Sequence, residues 1–490
     1  MGTKQRRLAS LLLWLASIAY VLWAATFIRH STVVAIDGHR YCCLFDDAMV
    51  SMRYAWNLAH GRGLCWNPGE RVQGFTSPLM VGLMALPCIF FSKSIACLVV
   101  QLYGVPTVLG VAWYTRRLCT FVAKNAWLPL FSFVSILVYY PLSYWSLMGM
   151  ETGILALLML AAIVSVLRQD TLQATVAMCL AFLARPDFLV VAALLLALFF
   201  ALNRHRALVT AGLFLAFVVL VFAWQFGYYG EALPNTYTLK IVGLPFVDRI
   251  KGGANFITPF LAVSVPLIAF AMAGTSFMTS RIRFVVLSIP ASLVAYQIYI
   301  GGDAWPYWRM LVSIMPIIVA AAVAGAHALF RGSFIATVAA LLFGMFVSDV
   351  QFISEMVFSA KPYKSDETID NLNTAIVLNR TLSPDATIGV EWAGTLPYYT
   401  DFRAIDFLGK TDRRIAGMRP DMSGRIRWSG MNSVPGHNKY DLNYSIGELK
   451  PDYIQTYRYG LSDTSEWIEG IYEMRVVDGL EIIVRKGAAR

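Results

Sequence analysis

Residues 45–78 read FDDAMVSMRYAWNLAHGRGLCWNPGERVQGFTSP. This stretch is polar and is flanked on both sides by apolar runs. It opens on adjacent carboxylates, Asp46 and Asp47. Met49, Met52 or Arg53, Trp56 and Ala59 or His60 then recur with the spacing of one helix face. The pattern predicts an amphipathic helix lying in a membrane interface. Asp46 or Asp47 could simply cap its N-terminus. They could also do chemistry. Two charges at a membrane mouth are costly unless used, and neighbouring carboxylates raise one another's pKa, which suits a general base.

The chain before this loop reads Lys4, Arg6, Arg7 and then an apolar run from about Leu8 to Ile28, long enough to span a bilayer. A cleaved signal peptide looks similar, but many apolar runs follow and no small-x-small site is visible, so an uncleaved helix is expected. Positive charge ahead of it places the N-terminus in the cytoplasm and residues 29–76 outside. Apolar runs follow at about 77–92, 94–115, 126–145, 149–167, 171–183, 186–202, 207–226, 256–276, 284–300, 308–330 and 334–349. The central expectation is 11 crossings, within a range of 10 to 13. Asn203-Arg204-His205-Arg206 reads as a cytoplasmic loop, and Arg116 and Arg117 also prefer the inside. Simple alternation then fails between 77 and 150, so at least one run there is not a full crossing.

Composition agrees. Of 490 residues, 58% are hydrophobic and 14% charged. A soluble domain carries roughly 25% charged residues, and disorder needs low hydrophobicity and high charge, so both classes are excluded. Residues 361–490 hold 17 Lys/Arg and 18 Asp/Glu, half of all the charged side chains, while the first 360 carry a net charge of +11. The basic balance is loop and site charge, not a nucleic-acid footprint. Two domains follow: a transmembrane domain at 1–355 and a water-soluble one at 356–490. In the latter, Ser365–Leu382 has helical spacing. Strands are expected at Ala386–Trp392, Ala404–Leu408, Asp452–Tyr457, Tyr472–Val477 and Leu480–Arg485, the last two joined by an Asp478-Gly479 hairpin turn. Strands alternating with helices indicate a small α/β domain, and an odd number of crossings puts it outside. Cys88, Cys97, Cys119 and Cys179 sit in apolar runs as core residues; Cys65 could bridge to Cys42 or Cys43 in an oxidising compartment. No Cys-x-x-Cys or His/Cys cluster suggests a metal.

The loop pattern DDA-x-x-S-x-RYA-x-NLA-x-G-x-GL-x-x-NPGERV-x-G-F-T-S after one N-terminal helix resembles the integral-membrane glycosyltransferases of the GT-C superfamily. It is most similar to the group containing the mycobacterial terminal β-(1→2)-arabinofuranosyltransferase. Six further stretches match that group in order: Gly149–Thr152, Ala184–Asp187, Tyr229–Thr236, Gly301–Asp303 with Arg309, Phe407–Asp412 and Pro435–Asp441. The resemblance implies a helical membrane bundle with a small C-terminal extracytoplasmic α/β domain. It also implies transfer of a sugar, such as a pentofuranose, from a polyprenyl-phosphate donor to a cell-envelope glycan or glycolipid, at the outer face of a bacterial plasma membrane. The catalytic role falls on Asp46, with Asp47 second. Cys42 and Cys43 ahead of the Asp pair are not a feature of the group.

Physical chemistry fits that implication. Glycosyl transfer needs a base for the acceptor hydroxyl, stabilisation of an oxocarbenium-like centre, and cations for the leaving phosphate. Arg185, Lys240 and Arg309 lie at ends of apolar runs, where a lipid phosphate would sit. Arg53, Glu70, Glu151, Asn235, Asp303, Trp305, Lys410, Asp412, His437 and Lys439 are candidate substrate ligands. Each has an ordinary alternative. Glu151 could complement a helix dipole, Arg185 could pair with Asp187, and Lys240 could snorkel. Asp303 could belong to an interfacial aromatic belt with Trp305, and His437 and Lys439 could be exposed loop residues. Asp46 and Asp47 could also hold a divalent cation, although a monophosphate leaving group does not demand one. No nucleotide-sugar fingerprint is present. The rivals are a ligase using a polyprenyl-diphosphate glycan and a lipid-linked saccharide transporter. A transporter would show charges within spans and internal repeats, and neither is seen.

Overall fold

The computed structural model describes residues 3–122, 127–422, 436–455 and 465–488. The chain forms two compact units. The first comprises Met1–His30, Gln101–Phe222 and Ile250–Lys361; the second comprises Ser31–Val100, Ala223–Arg249 and Pro362–Arg490.

The first unit is helical. Among the described residues of the whole chain, seven helices are long and apolar enough to cross a membrane: Arg7–Ser31, Lys93–Val122, Arg204–Tyr229, Phe246–Phe277, Ser280–Ile300, Val312–Leu329 and Phe334–Met356. An eighth is counted if the bent pair Leu128–Val138 and Tyr140–Leu147 is one span. Large apolar side chains such as Leu213, Val219 and Leu220 face outward. Such a surface is a liability in water and natural in lipid, so the chain is a multi-pass membrane protein.

The expected 11 crossings are not reached on length. Four apolar helices, Pro78–Phe90, Thr152–Arg168, Thr171–Ala184 and Phe188–Leu202, have 13 to 17 residues. At 1.5 Å per residue they fall short of a hydrocarbon core of about 30 Å. The run at 128–147 bends by 55° at Tyr139. Pro141 lacks an N–H and its ring clashes with the carbonyl four residues earlier, so the helix must restart. The restarted helix exposes the Tyr140 N–H, which donates to buried Asp349 Oδ1 at 3.1 Å.

The two short helices around Gln169 form a tight helical hairpin. Gln169 closes the first in the left-handed region (φ 59°), and the Asp170 side chain caps the second by accepting from Gln173 N at 3.0 Å.

The second unit carries a two-residue ribbon, β1 (Val33–Val34) with β2 (Arg40–Tyr41), and a five-stranded sheet. Its strands are β3 (Thr387–Val390), β4 (Arg403–Asp406), β5 (Tyr453–Ile454), β6 (Tyr472–Val477) and β7 (Leu480–Arg485), in the order β4-β3-β5-β7-β6. β3 runs parallel to β4 and β5; β7 is antiparallel to β5 and β6. All five expected strands are present: β6 and β7 have the expected bounds, β3 and β5 are shorter, and β4 starts one residue earlier and ends two sooner. The expected strand at 452–457 keeps only two residues, and 456–457 lie outside the described residues, as does Pro435. Asp478 (φ 52°) and Gly479 (φ 79°) make the hairpin turn in the doubly positive conformation that their residue types favour. The expected helix is Ser365–Thr381.

The first loop is folded onto this tail. Val33, Ala35, Cys43 and Leu372 share one buried cluster, and Ile36 N donates to Asn373 Oδ1 at 2.8 Å. The helix Asp46–Ala59 is therefore not an interfacial helix with one wet face. Ala48, Met49, Val50, Met52, Arg53, Tyr54, Ala55 and Asn57 are all buried, because it packs against Pro78–Phe90 and the helix Thr395–Thr400. The bridge open to Cys65 is not formed: Cys42, Cys43 and Cys65 are free thiols with different neighbours. Cys65 Sγ faces Arg62 O, while Cys43 Sγ lies by the Tyr399 hydroxyl.

Close helix contact in the first unit depends on small residues. A Cβ on Gly325 would fall on the Phe270 carbonyl oxygen and lie 2.8 Å from Gly274 N. Gly325→Leu should therefore lower the detergent-solubilised Tm, at an overpacking cost of about 1–3 kcal/mol. Gly212→Ala, with nothing within 4 Å of the added carbon, should leave Tm unchanged or raise it slightly.

Candidate functional site

The second unit gathers the carboxylates at the carboxyl ends of two adjacent parallel strands, where open α/β sheets place their ligands. β3 ends at Val390 and leads through Glu391–Gly394 into the helix Thr395–Thr400. Thr395 N donates to Asp46 Oδ1 at 2.8 Å, and Gly394 N donates to Asp46 Oδ2 at 3.2 Å. Both Asp stand in the first turn of their helix, whose N-cap is Phe45 without a side-chain bond. Gly394 is required by this approach: a Cβ there would collide with the Asp46 carbonyl and sit 2.6 Å from its carboxylate.

β4 ends at Asp406, whose buried carboxylate folds the following loop. It accepts from Leu408 N at 3.0 Å, and from Thr411 N and Oγ1 at 2.8 and 3.2 Å. That loop delivers Lys410 as an ion pair onto Asp47. Asn235 holds the loop from the other side, its Nδ2 donating to the Gly409 and Lys410 carbonyls, each at 3.0 Å.

The electrostatics follow from these contacts. Burial pushes the Asp46 carboxyl above its ordinary value, against the opposing pull of the Thr395 N–H and of Lys410; Asp47 adds to the rise. Burial alone would lower the Lys410 ammonium, but the Asp47 carboxylate outweighs it and raises the group. Asp46 thus combines a raised pKa with a nearby fixed cation, Lys410.

Several predicted ligands in this unit turn out to hold the fold. Arg53 is buried. It donates to the carbonyls of Trp66 (2.7 Å), Phe402 (2.7 Å) and Pro397 and to Asn67 Oδ1 (3.0 Å), with the Trp66 ring 4.8 Å away. Lys439 is buried as well, with Nζ on Ala416 O at 2.6 Å and Thr238 O at 3.1 Å; burial lowers it to about 8. Glu70 meets Arg403 at 2.7 Å in an exposed pair. Asp412 caps the helix Arg413–Gly417 through Ile415 N at 3.0 Å. Lys240 lies in the last turn of Asn235–Ile241, beside Gly436, and His437 is half-buried. Sequence reasoning missed Gly394, Thr395 and Asp406. The first two act through backbone N–H groups, which no residue type announces. Asp406 does adjoin the Phe407–Asp412 stretch, and an acid at a strand end was the available signal.

In the first unit Glu151, Arg185 and Asp187 converge. Arg185 Nη1 meets Glu151 Oε1 at 2.7 Å and Nη2 meets Asp187 Oδ2 at 2.9 Å. Two acids on one guanidinium leave a formal charge of −1, and the cavity beside it is about 10 Å³, room for a single water. Arg185 was expected to hold a phosphate; here it holds two carboxylates. Arg309 makes a two-pronged pair with Asp303, both contacts at 2.9 Å, over Trp145 at 5.8 Å. Trp305 is buried. The intervening Tyr307 (φ 60°) and Trp308 (φ 46°) are left-handed. Such bulky residues cost about 1–3 kcal/mol each there, and strain of this kind concentrates at functional sites.

Among the described residues no three His, Cys, Asp or Glu side chains meet in a metal-ligating arrangement. The Asp46/Asp47 pair fits a divalent ion poorly: backbone N–H groups occupy one carboxylate and an ammonium the other.

The fold, a helical bundle with a small C-terminal sheet domain, is shared with solved membrane-protein structures. ArnT from Cupriavidus metallidurans bound to undecaprenyl phosphate shares it with a TM-score of 0.55 and 13% identity, over 100% of this chain and 99% of that one. The apo form of the same protein gives 0.54 and 13%, over 96% and 98%. The Archaeoglobus fulgidus oligosaccharyltransferase in its apo form gives 0.55 and 14%, over 83% of this chain and 65% of that one. By sequence, residues 362–482 match a family described as a domain of unknown function, DUF8728. Curated proteins give no sequence match.

The Asp47–Lys410 pair can be tested directly. Asp47→Asn and Lys410→Met should each lower Tm, and the double variant should lose less than their sum. The difference should be an interaction of about 0.5–3 kcal/mol in a double-mutant cycle.

Proposed function

We propose that this chain transfers a sugar from a polyprenyl-phosphate donor to a hydroxyl of a cell-envelope glycan or glycolipid, at the outer face of the membrane. The observation that carries the reading is the Asp46 carboxylate, seated on Gly394 and Thr395 and raised in pKa, in a fold that matches ArnT from end to end. The structure of that protein binds undecaprenyl phosphate, the lipid-phosphate chemistry that the donor implies.

Asp46 takes the proton of the acceptor hydroxyl as its oxygen attacks the anomeric carbon. The bond from that carbon to the phosphate oxygen breaks, and the lipid phosphate leaves with the electron pair. Asp47 and Lys410 orient Asp46 and set its basicity. Lys240 is the proposed phosphate cation of the second unit. Arg185 and Arg309 remain proposed phosphate ligands, each needing to exchange a carboxylate partner first. Glu151, Asp303, Trp305 and His437 are proposed for substrate binding. The sugar we favour is a pentofuranose such as arabinofuranose, on the strength of the motif resemblance. A second reading, transfer of a glycan from polyprenyl diphosphate, is supported by the fold shared with the A. fulgidus oligosaccharyltransferase. Spanning 65% of that chain against 99% of ArnT, this protein favours the first.

The test is sugar transfer from a panel of synthetic polyprenyl-phosphate sugars by the purified chain. Asp46→Asn, folded by Tm, should lose at least about a hundredfold in rate, at the strong end of a base contribution. Normal transfer by that variant would remove Asp46 as base. Transfer only from a diphosphate-linked glycan would establish the second reading. Gly394→Ala should also slow transfer, though it removes no reactive group.

The pH profile has a definite sign. The base works deprotonated, so the rate falls as pH drops through a pKa held above the ordinary carboxylate value of about 4. Removing the Lys410 charge should move that acid limb to higher pH, and Asp47→Asn should move it lower.

A further inference from the structure

A groove of about 540 Å³ is bordered by Thr411–Arg414, next to Lys410 in the chain, and the proposed reaction leaves it unused. Its size suits a small-molecule site of roughly 300–1,000 Å³. Four arginines line it, Arg71, Arg403, Arg413 and Arg414, with Tyr228 and Tyr444 among its aromatic residues. Three of the arginines have acid partners. Arg403 meets Glu70 at 2.7 Å, Arg413 meets Glu231 at 3.2 Å, and Arg414 meets Glu448 at 3.1 Å. Arg71 differs. Its guanidinium lies over the Tyr228 ring at 4.9 Å, and among the described residues it meets no carboxylate.

Tyr228 is itself fixed, because its hydroxyl accepts from Leu64 N at 2.9 Å. The stacked guanidinium is therefore an exposed, planar cation on a rigid platform, a geometry suited to a carboxylate or a phosphate. Glu70 and Asp412 add acceptors to the same wall, and the Arg413 and Arg414 side chains add donors. A ligand meeting all of these carries many hydroxyls and one anionic group. Thr411–Arg414 of the wall follow Lys410 directly in the chain, so the groove and the Asp47 partner share one loop.

We propose that this groove binds an acidic segment of the acceptor glycan, with Arg71 receiving its carboxylate or phosphate. The acceptor role rests on the transferase reading above; the binding itself does not.

The test is binding by the full chain in lipid nanodiscs, with no donor present, followed by calorimetry. The probes are trigalacturonate, maltotriose and maltotriose phosphate. An acidic probe should bind at least about tenfold more tightly than maltotriose, one charge-assisted contact's worth. Arg71→Ala should erase that preference while leaving the maltotriose affinity within about twofold, and Arg71→Lys should restore part of it. Preference for trigalacturonate marks a uronate source, and preference for the phosphate marks a phosphorylated one; both support the site. Equal binding of all three probes, binding of none, or an Arg71→Ala chain that keeps its preference overturns it. A chain that transfers no sugar but binds the acidic probe would fail the transferase reading alone.

Discussion

The second unit is organised around one buried-charge problem. A carboxylate at position 46 is half withdrawn from water, and such an anion persists only if donors are aimed at it. The donors come from 348 positions away in sequence, as the first N–H groups of a six-residue helix. That arrangement needs the first loop and the tail to fold as one body. Arg53 secures this by tying carbonyls of residues 66, 397 and 402 to the helix that begins at Asp46. It also needs a residue without a Cβ at 394. The Asp406 loop and Asn235 complete the frame by fixing the backbone of Lys410.

Much of the fold is legible in the sequence because membrane helices and strands announce themselves by composition. The apolar runs, the near-neutral charged tail and the Asp478-Gly479 turn all read directly. The number of crossings does not. Thr152–Arg168 and Phe188–Leu202 are as apolar as any span, and hydropathy cannot tell a short helix buried among others from one that crosses lipid. The helix at 46–59 misleads for a related reason. Its Met and Trp period suggests one apolar face, but the polar residues Arg53 and Asn57 are buried too, satisfied by carbonyls of Trp66 and, for Arg53, of the tail.

The site was half legible. The motif pattern points to Asp46, Asp47 and Lys410, and the structure brings Asp47 and Lys410 into contact. It does not distinguish ligands from struts. Arg53, Asn235 and Lys439 have residue types fit for substrate, yet each is engaged by backbone carbonyls. A charged side chain in a small domain can meet solvent, an opposite charge or a backbone carbonyl, and only the tertiary fold assigns which. Backbone N–H donors are invisible to any motif.

On the proposed reading of Asp46 as the base, the arrangement around it balances two demands. A general base must be deprotonated at working pH and yet basic enough to take a proton. Burial raises its basicity; the two N–H groups and Lys410 restrain the rise. Because Lys410 is paired with Asp47 rather than with Asp46, its charge acts at a distance and leaves Asp46 free of a direct ammonium partner. An ammonium placed directly on Asp46 would depress its basicity and compete with the acceptor hydroxyl for its oxygens. On that reading the adjacent Asp47 has a physical purpose beyond repulsion: its pair with Lys410 keeps the cation close without letting it quench the base.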